Sequence, residues 1–272
     1  MQCILSALKY ESAPFIKHFG LRKDKRFNYP VFTNGKIYLL SVGVGKKQIE
    51  KRINNFRENI DQNFIQFINI GSAGGKKDKH KIGEAFLINK ITDDFSKTTY
   101  YPDILFKHPF KEIGITTVDK GIVDGGNNFH NLVDMEASEI FRVCAKFSPL
   151  HNIFFLKIVS DHMNVDLKKI DKQYLPSLIT YQLPDIDNFL QSIDGLNDAN
   201  KSILLQNDKE WITDTVKTLK LTETQGIYLK NFLKGYRLRK PNVRCPTVKE
   251  YQSISTSKRN KIFQNICEKL TS

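Results

Sequence analysis

Cysteine is scarce and unpaired in this sequence. Its four cysteines, Cys3, Cys144, Cys245 and Cys267, form no CxxC spacing. That excludes a disulfide scaffold and reads as buried or half-buried free thiols rather than metal ligands. The six histidines are equally scattered, with no HxxxH or HExxH spacing, so neither a metal nor any other cofactor is expected. No apolar run approaches the roughly 20 residues that cross a bilayer. No basic leader precedes Ile4-Leu5-Ser6-Ala7-Leu8, so the opening reads as a strand and not as a signal peptide. A soluble, cytoplasmic protein without membrane contact is expected. There is no internal repeat and no low-complexity tract. What is present is 272 residues, 40% hydrophobic and 26% charged. At this length folding buries roughly 75% of the chain's surface, and the composition is that of a globular chain and not a disordered one.

Acidic residues are outnumbered, 29 against 42 basic, for a net charge of +13. From Leu196 to Ser272 there are 15 Lys+Arg and 7 Asp+Glu, so most of the excess lies in the last quarter. Lys230, Lys234, Arg237, Arg239, Lys240 and Arg244 fall between Glu223 and Glu250 with no acid among them. Such a stretch is either the solvated face of an amphipathic helical appendage or a surface for a polyanion; the solvated face is the favoured reading. Tyr228, Phe232 and Tyr236 recur at helical spacing, which suggests a buried stripe more than a base-stacking platform.

Along the first 195 residues, short apolar runs alternate with helical patterns. Cys3–Leu8, Phe64–Ile70, Glu84–Asn89, Ile113–Val118 and Asn152–Val159 read as strands. Tyr29–Asn34 and Lys36–Val42 read as a hairpin around Asn34-Gly35. Helices are predicted over Tyr10–Phe19, Lys46–Ile60 and Asp134–Phe147, the last with Asp134 as N-cap and a face of Ala137, Ile140, Phe141 and Cys144. This alternation predicts an α/β fold, a three-layer α/β/α arrangement around a central mixed sheet. Residues 196–272 predict a second, mainly helical extension with helices over Lys201–Gln206, Lys209–Leu219, Glu223–Tyr236 and Ser257–Leu270.

In α/β sheets ligands bind beyond the carboxyl ends of the strands. Glu11 follows the first strand there, the glycine-rich turn Gly71-Ser72-Ala73-Gly74-Gly75 follows Phe64–Ile70, and Asp161 follows Asn152–Val159. Glu136 lies in the first turn of its helix. Each acid has a local alternative as a helix-start, dipole or capping residue; together they would line one crevice.

At these residues the sequence resembles the nucleoside phosphorylase/nucleosidase family, in particular the 5′-methylthioadenosine/S-adenosylhomocysteine nucleosidases. The blocks that carry the resemblance are Ile4-Leu5-Ser6-Ala7-Leu8-Lys9-Tyr10-Glu11, Ser41-Val42-Gly43-Val44-Gly45, Asn69-Ile70-Gly71-Ser72-Ala73-Gly74-Gly75, Val133-Asp134-Met135-Glu136-Ala137 and Val159-Ser160-Asp161. They cover about residues 2–165. The resemblance implies an N-glycosidic cleavage of a purine nucleoside through an oxocarbenium-like state. It implies that Asp161 protonates the base, that Glu11 activates water, and that Glu136 stays ionised and anchors the ribose. It further implies Met135 beneath the sugar, unless that residue is core, and substrate contacts from Ser72, Ala73, Gly74 and Ser160. Asp161 would need to hold a proton near neutrality, which burial among Phe154, Leu156 and Val159 would favour. Phe129 would stack on the base or else anchor its loop, and Tyr100-Tyr101-Pro102-Asp103 would line a pocket or form a surface turn. Family resemblance also implies a homodimer or higher homo-oligomer.

Asn69-Ile70 stands where related phosphorylases place an arginine, and Glu11 puts a negative charge where phosphate would sit; both favour hydrolysis. Lys76 and Lys77 beyond the loop, and Asp161-His162-Met163, keep a purine nucleoside phosphorylase as the alternative. A further alternative is a non-catalytic, nucleoside-sensing module whose basic tail binds nucleic acid or a partner.

Overall fold

Continuous runs of β-branched, aromatic and leucine side chains set the central strands. In the computed structural model, which describes residues 1–60, 65–164, 173–200, 203–240, 243–248 and 255–271 (side chains of 196–200 excepted), every residue of β1 (Gln2–Ser6) and β10 (Ile153–Asp161) is buried. Strands buried on both faces are those of a parallel sheet covered by helices. Phe64, Lys201, Pro241 and Glu250 lie outside the described residues.

Ten strands make one mixed sheet. β4 (Ile37–Ser41), β1, β5 (Gln66–Gly74) and β10 run parallel, side by side. β10 then pairs antiparallel with β6 (Ala85–Asp93), which runs parallel to β8 (Lys111–Thr117). β8 runs parallel to β9 (Leu132–Asp134), and β9 pairs back, antiparallel, with β5 at Gly74↔Val133. The path β10–β6–β8–β9–β5 therefore closes on β10 as a ring of five strands. β3 (Val31–Thr33) and β2 (Arg22–Lys23) extend the open side past β4, and β7 (Thr99–Tyr100) pairs with β6. The α/β class and the mixed sheet are as the sequence predicts. The strand pairings add closure, which is not a feature of the plain central layer of a three-layer stack.

Between β3 and β4, the Asn34 side chain accepts hydrogen bonds from Lys36 N at 3.0 Å and Ile37 N at 2.9 Å, and Gly35 adopts φ 89°. These are the demands that select Asn-Gly for a hairpin. Helix α1 (Lys9–His18) follows β1; α2 (Ile49–Glu58) buries Ile49, Ile53 and Phe56; α3 (Ala137–Cys144) buries the predicted Ala137, Ile140, Phe141 and Cys144. α3 starts three residues later than the sequence predicts, because Asp134 closes β9 and its carboxylate receives the N–H of Ala137 at 2.9 Å. The long helix α4 (Tyr174–Asn200) has no counterpart in the sequence reading. Its side chains Leu175, Ile179, Leu183, Ile186, Phe189, Leu190 and Ile193 are buried. Buried Gln2 and Gln66 donate to its Leu190 and Ile193 carbonyls, both at 2.7 Å.

The chain separates into two compact units, Met1–Asp194 and Gly195–Ser272. The second holds α5 (Gln206–Leu219), α6 (Glu223–Arg239) and α7 (Thr256–Thr271) around Leu219, Leu229, Leu233, Tyr236, Ile266 and Leu270. Half-buried Arg237 pairs with buried Asp208 and so ties α6 to α5. The predicted buried stripe needs correction: Tyr236 is core, but Tyr228 and Phe232 face solvent, and Leu229 and Leu233 take the inner positions. The four thiols are free; Cys3, Cys144 and Cys267 are buried and Cys245 is half-buried. Among the described residues, no helix is long and apolar enough to cross a membrane.

Phe155 lies on the ring-closing strand β10, fully buried and stacked on Phe141 at 6.2 Å. Phe155→Ala is expected to cost about 4 kcal/mol of unfolding free energy, against less than about 1 kcal/mol for the partly exposed Phe147→Ala. Urea titrations of the two variants check the difference.

Candidate active site

Glu11 is the third residue of α1, where an acid reaches back to the free N–H groups that precede a helix. Its Oε2 accepts from Leu8 N at 2.9 Å and Ala7 N at 3.1 Å. Its Oε1 accepts from Ser72 N at 2.8 Å and Ser72 Oγ at 2.7 Å. The last β1–β5 pair is Leu5↔Asn69, so the Glu11 carboxylate takes an N–H of β5 where β1 has stopped. The residue serves both as a helix-start acid and as a buried anion on the central strand.

Where the sequence predicts a glycine-rich turn, β5 runs on to Gly74. Its small residues are there for close approach. A Cβ on Gly71 would lie 3.1 Å from Glu11 Oε1, and one on Gly74 would lie 2.7 Å from Met163 Cγ.

Glu136 stands just before α3, at its N-cap position rather than in its first turn. Gly45 N donates to Glu136 Oε1 at 2.7 Å, from a turn in which Gly43 and Gly45 take φ of 85° and 72°. Beside it Asp134 accepts from Thr117 Oγ1 at 2.7 Å and pairs with Lys157 Nζ at 2.8 Å. Lys157 is 1% exposed and lies in register with Gly71. Burial opposes its charge, but Asp134, Glu136 and Glu11 together outweigh that and hold its pKa above the ordinary lysine value. For Glu136 the balance runs the other way: burial, then Asp134, raise its pKa to about 7, against the pull of Lys157 and the Gly45 N–H. Burial thus works against the ionised form expected of Glu136, because desolvation outweighs the favourable contacts of its carboxylate.

Asp161 ends β10, after a register irregularity between Val159 and Asp161. Met163 N donates to its Oδ1 and Ser160 Oγ to its Oδ2, each at 2.7 Å. Ser160 Oγ has a second acceptor in Ala73 O at 3.4 Å. Tyr174 OH, at the start of α4, donates to Ser160 O at 3.0 Å. Asp161 is buried, as are Phe154, Leu156 and Val159, but Phe154 and Leu156 lie well back along β10 and not around the carboxylate, both of whose oxygens are engaged as acceptors.

Two groups thus lie along β5. Glu11, Glu136, Asp134 and Lys157 gather near Gly71 and Ser72. Asp161, Ser160 and Met163 gather at Ala73 and Gly74, two residues or about 7 Å of strand further on. Phe129 and Met135 are half-buried and pack with Met163, Val118 and Val133 in one apolar cluster. Tyr100 stacks on core Phe141 at 4.9 Å, and Tyr101 is exposed, so this pair belongs to core and surface. The sequence reading missed Lys157, although a lysine inside the apolar run Ile153–Val159 is a signal, and gave Met163 no packing role at the site. No set of three or more His, Cys, Asp or Glu that would hold a metal ion occurs among the described residues.

No family model matches this sequence, and no curated protein sequence does. The fold is nevertheless similar to that of solved nucleosidases. One is the apo 5′-methylthioadenosine nucleosidase of Arabidopsis thaliana, at TM-score 0.57 and 19% identity, over 71% of this chain and 96% of that one. Another is a point mutant of the Helicobacter pylori enzyme with 5′-methylthioadenosine in its active site, at TM-score 0.56 and 15% identity, over 70% and 98%. A third is the 5′-methylthioadenosine/S-adenosylhomocysteine nucleosidase of Campylobacter jejuni, at TM-score 0.52 and 16% identity, over 68% and 96%. At such identities the likeness establishes the fold.

Two outcomes test the electrostatics. Because the folded pKa of Glu136 is raised from 4.5 to about 7, its contribution to stability is complete below the lower value and fades as pH rises through the higher one. Wild type is expected to lose on the order of 3 kcal/mol between pH 4.5 and 8 that Glu136→Gln does not lose, read from urea midpoints across that range. Lys157→Met strands two buried carboxylates and is expected to destabilise by about 3–5 kcal/mol, with part recovered by adding Asp134→Asn.

Proposed function

We propose that this protein is a purine-nucleoside N-ribosyl hydrolase. The observation that carries the reading is the seat of Glu11: a carboxylate 2% exposed, held by two hydrogen bonds from Ser72 on β5 and two from the Ala7 and Leu8 N–H groups, with Glu136 and Lys157 beside it. An anionic nucleophile such as phosphate would meet a buried anion there, whereas water meets a base. The nearby lysines are already engaged, Lys157 with Asp134 and Lys46 with Asp93 and Asp119. Lys76 Nζ reaches the Asn127 carbonyl at 3.4 Å. This weakens the phosphorylase alternative.

In the proposed reaction the nucleoside spans the two groups on β5, with its ribose at Glu136 and its base at Asp161. Ser72, whose N–H and hydroxyl hold Glu11, lies on the ribose side, and Met135 and Phe129 supply the apolar contact beneath sugar and base. The C1′–N9 bond breaks with its electron pair leaving on the purine, and the proton on Asp161 passes to the imidazole part of the base. For Asp161 to carry that proton the Ser160 hydroxyl turns from Asp161 to the Ala73 carbonyl, its second acceptor. Glu11 takes a proton from the attacking water as its oxygen bonds C1′, once the Ser72 hydroxyl turns away from Oε1 and frees an acceptor position. Glu136 accepts from the ribose hydroxyls in its ionised form, and Lys157 balances the crowded negative charge. Exposed Phe95, Tyr101 and Leu105 between β6 and β8 support a homo-oligomer as the working form.

A second reading concerns the C-terminal unit alone. α6 turns Tyr228 and Phe232 outward beside exposed Lys230 and Lys234, which suits a polyanion better than a buried stripe would. In that reading single-stranded nucleic acid binds with a steep salt dependence that Tyr228→Ala/Phe232→Ala reduces.

The main test is a product assay over a panel of purine nucleosides, with and without phosphate. Free purine and ribose are expected at equal rates in both conditions; a phosphate-dependent rate with ribose-1-phosphate as product would transfer the protein to the phosphorylases. Asp161→Asn is expected to lower kcat by about 10²–10⁴-fold without lowering the melting temperature, and Glu11→Gln to lower kcat as much and the melting temperature as well, because an amide nitrogen cannot accept from the donors that hold the carboxylate.

A further inference from the structure

Asp93 is a buried carboxylate with no part in the chemistry proposed above. It closes β6, and the residues that hold it come from three other places in the chain. Ser138 Oγ donates to Asp93 Oδ2 at 2.6 Å, and Lys46 Nζ lies 2.7 Å from the same oxygen. Ser96 N donates to Oδ1 at 2.9 Å. Lys46 immediately follows Gly45, whose N–H holds Glu136, and Ser138 lies two residues after Glu136. Asp93 therefore grips both sides of the 2.7 Å Gly45–Glu136 hydrogen bond, one on the turn and one on the helix.

We propose that Asp93, acting with Lys46, is a positioning residue for Glu136: it clamps the Gly43–Gly45 turn to the start of α3 so that the Gly45 N–H meets the ribose-anchoring carboxylate. The inference rests on the nucleosidase reading for its kinetic consequence but not for its geometry. Two features separate a clamp from ordinary surface pairing. Lys46 also reaches Asp119, which is largely exposed, so the buried grip is the one to Asp93. The α3 side is fixed independently, because Ser138 N donates to Thr117 Oγ1 at 3.0 Å while Thr117 Oγ1 donates to Asp134. The turn at Gly45 is held to this framework by Lys46. Glu136 is faced by Asp134 on its own segment, Lys157 on β10 and Glu11 on α1. Of its polar contacts, the Gly45 N–H is the one the clamp controls.

Losing that hydrogen bond removes a donor to the ionised form, so the apparent pKa of Glu136 rises. Asp93→Ala and Lys46→Met are each expected to raise KM for the cleaved nucleoside about tenfold with a smaller change in kcat. The acidic limb of kcat/KM is expected to move up by about half a pH unit or more. Asp93→Asn keeps an acceptor for Ser138 and Lys46 and is expected to restore most of the KM. A carbon-13 NMR titration of the Glu136 carboxyl, assigned by its loss in Glu136→Gln, reads the same shift without turnover. An unmoved Glu136 titration and an unchanged KM in folded Asp93→Ala and Lys46→Met would overturn the clamp. If Asp93→Ala does not fold, Lys46→Met decides alone. A wild type that cleaves no nucleoside, yet whose Glu136 titration moves in the variants, would sink the hydrolase and leave the clamp standing.

Discussion

The pairing of Lys157 with Asp134 is the constraint around which this site is built. Four charged side chains, Glu11, Asp134, Glu136 and Lys157, lie almost wholly out of water near one stretch of β5. A buried carboxylate without a partner costs several kcal/mol, and three of them without a cation would not be held so close. The lysine makes the cluster tolerable but does not neutralise it. The residual strain falls on Glu136, whose ionisation is pushed toward neutrality, while Glu11 is held by four hydrogen bonds.

The backbone is shaped to the same requirement. Strand β1 stops at Ser6, and the carboxylate of Glu11 occupies the ladder position beyond it. Gly71 leaves space for that carboxylate, and Gly74 leaves space for Met163, whose N–H holds Asp161. Closure of the sheet through β9 and β10 brings Asp134 and Lys157, which are far apart in sequence, against the same strand. The fold thus sets two differently equipped carboxylate sites along β5, one crowded with charge and one where Asp161 accepts from the Ser160 hydroxyl and the Met163 N–H. Such a difference in environment is what lets chemically similar acids take different roles.

The second unit shows the same physics at lower stakes. One ion pair, Arg237 with Asp208, joins two helices, and the remaining basic residues of α6 are mostly left to solvent. Its aromatic residues divide between core and surface because a stripe at i, i+4 drifts around a helix of 3.6 residues per turn. Leu229 and Leu233 lie nearer the centre of the inward face than Tyr228 and Phe232 do.

Much of this was legible in the sequence. The runs Cys3–Leu8 and Asn152–Val159, the Asn34-Gly35 turn, and the apolar faces of α2 and α3 depend on local periodicity and local turn chemistry, and they appear where that chemistry puts them. Glu11, Glu136 and Asp161 stood out in the sequence as acids beside strand and helix ends; that Glu11 and Glu136 lie near Gly71 and Ser72 while Asp161 lies further along β5 was not legible. The extent of β5 was not: Gly71-Ser72-Ala73-Gly74 has the composition of a turn, and only the carboxylate and methionine packed against it show why small residues are needed in a strand. Nor was Lys157, read locally as one polar residue in an apolar run. Local pattern decides which segments become strand or helix, since neighbours in sequence are then neighbours in space. The sign and ownership of the buried charges were decided only when the ring closed and set Asp134, Glu136 and Glu11 around one lysine, because desolvation and Coulomb energy depend on distances that the order of residues does not contain.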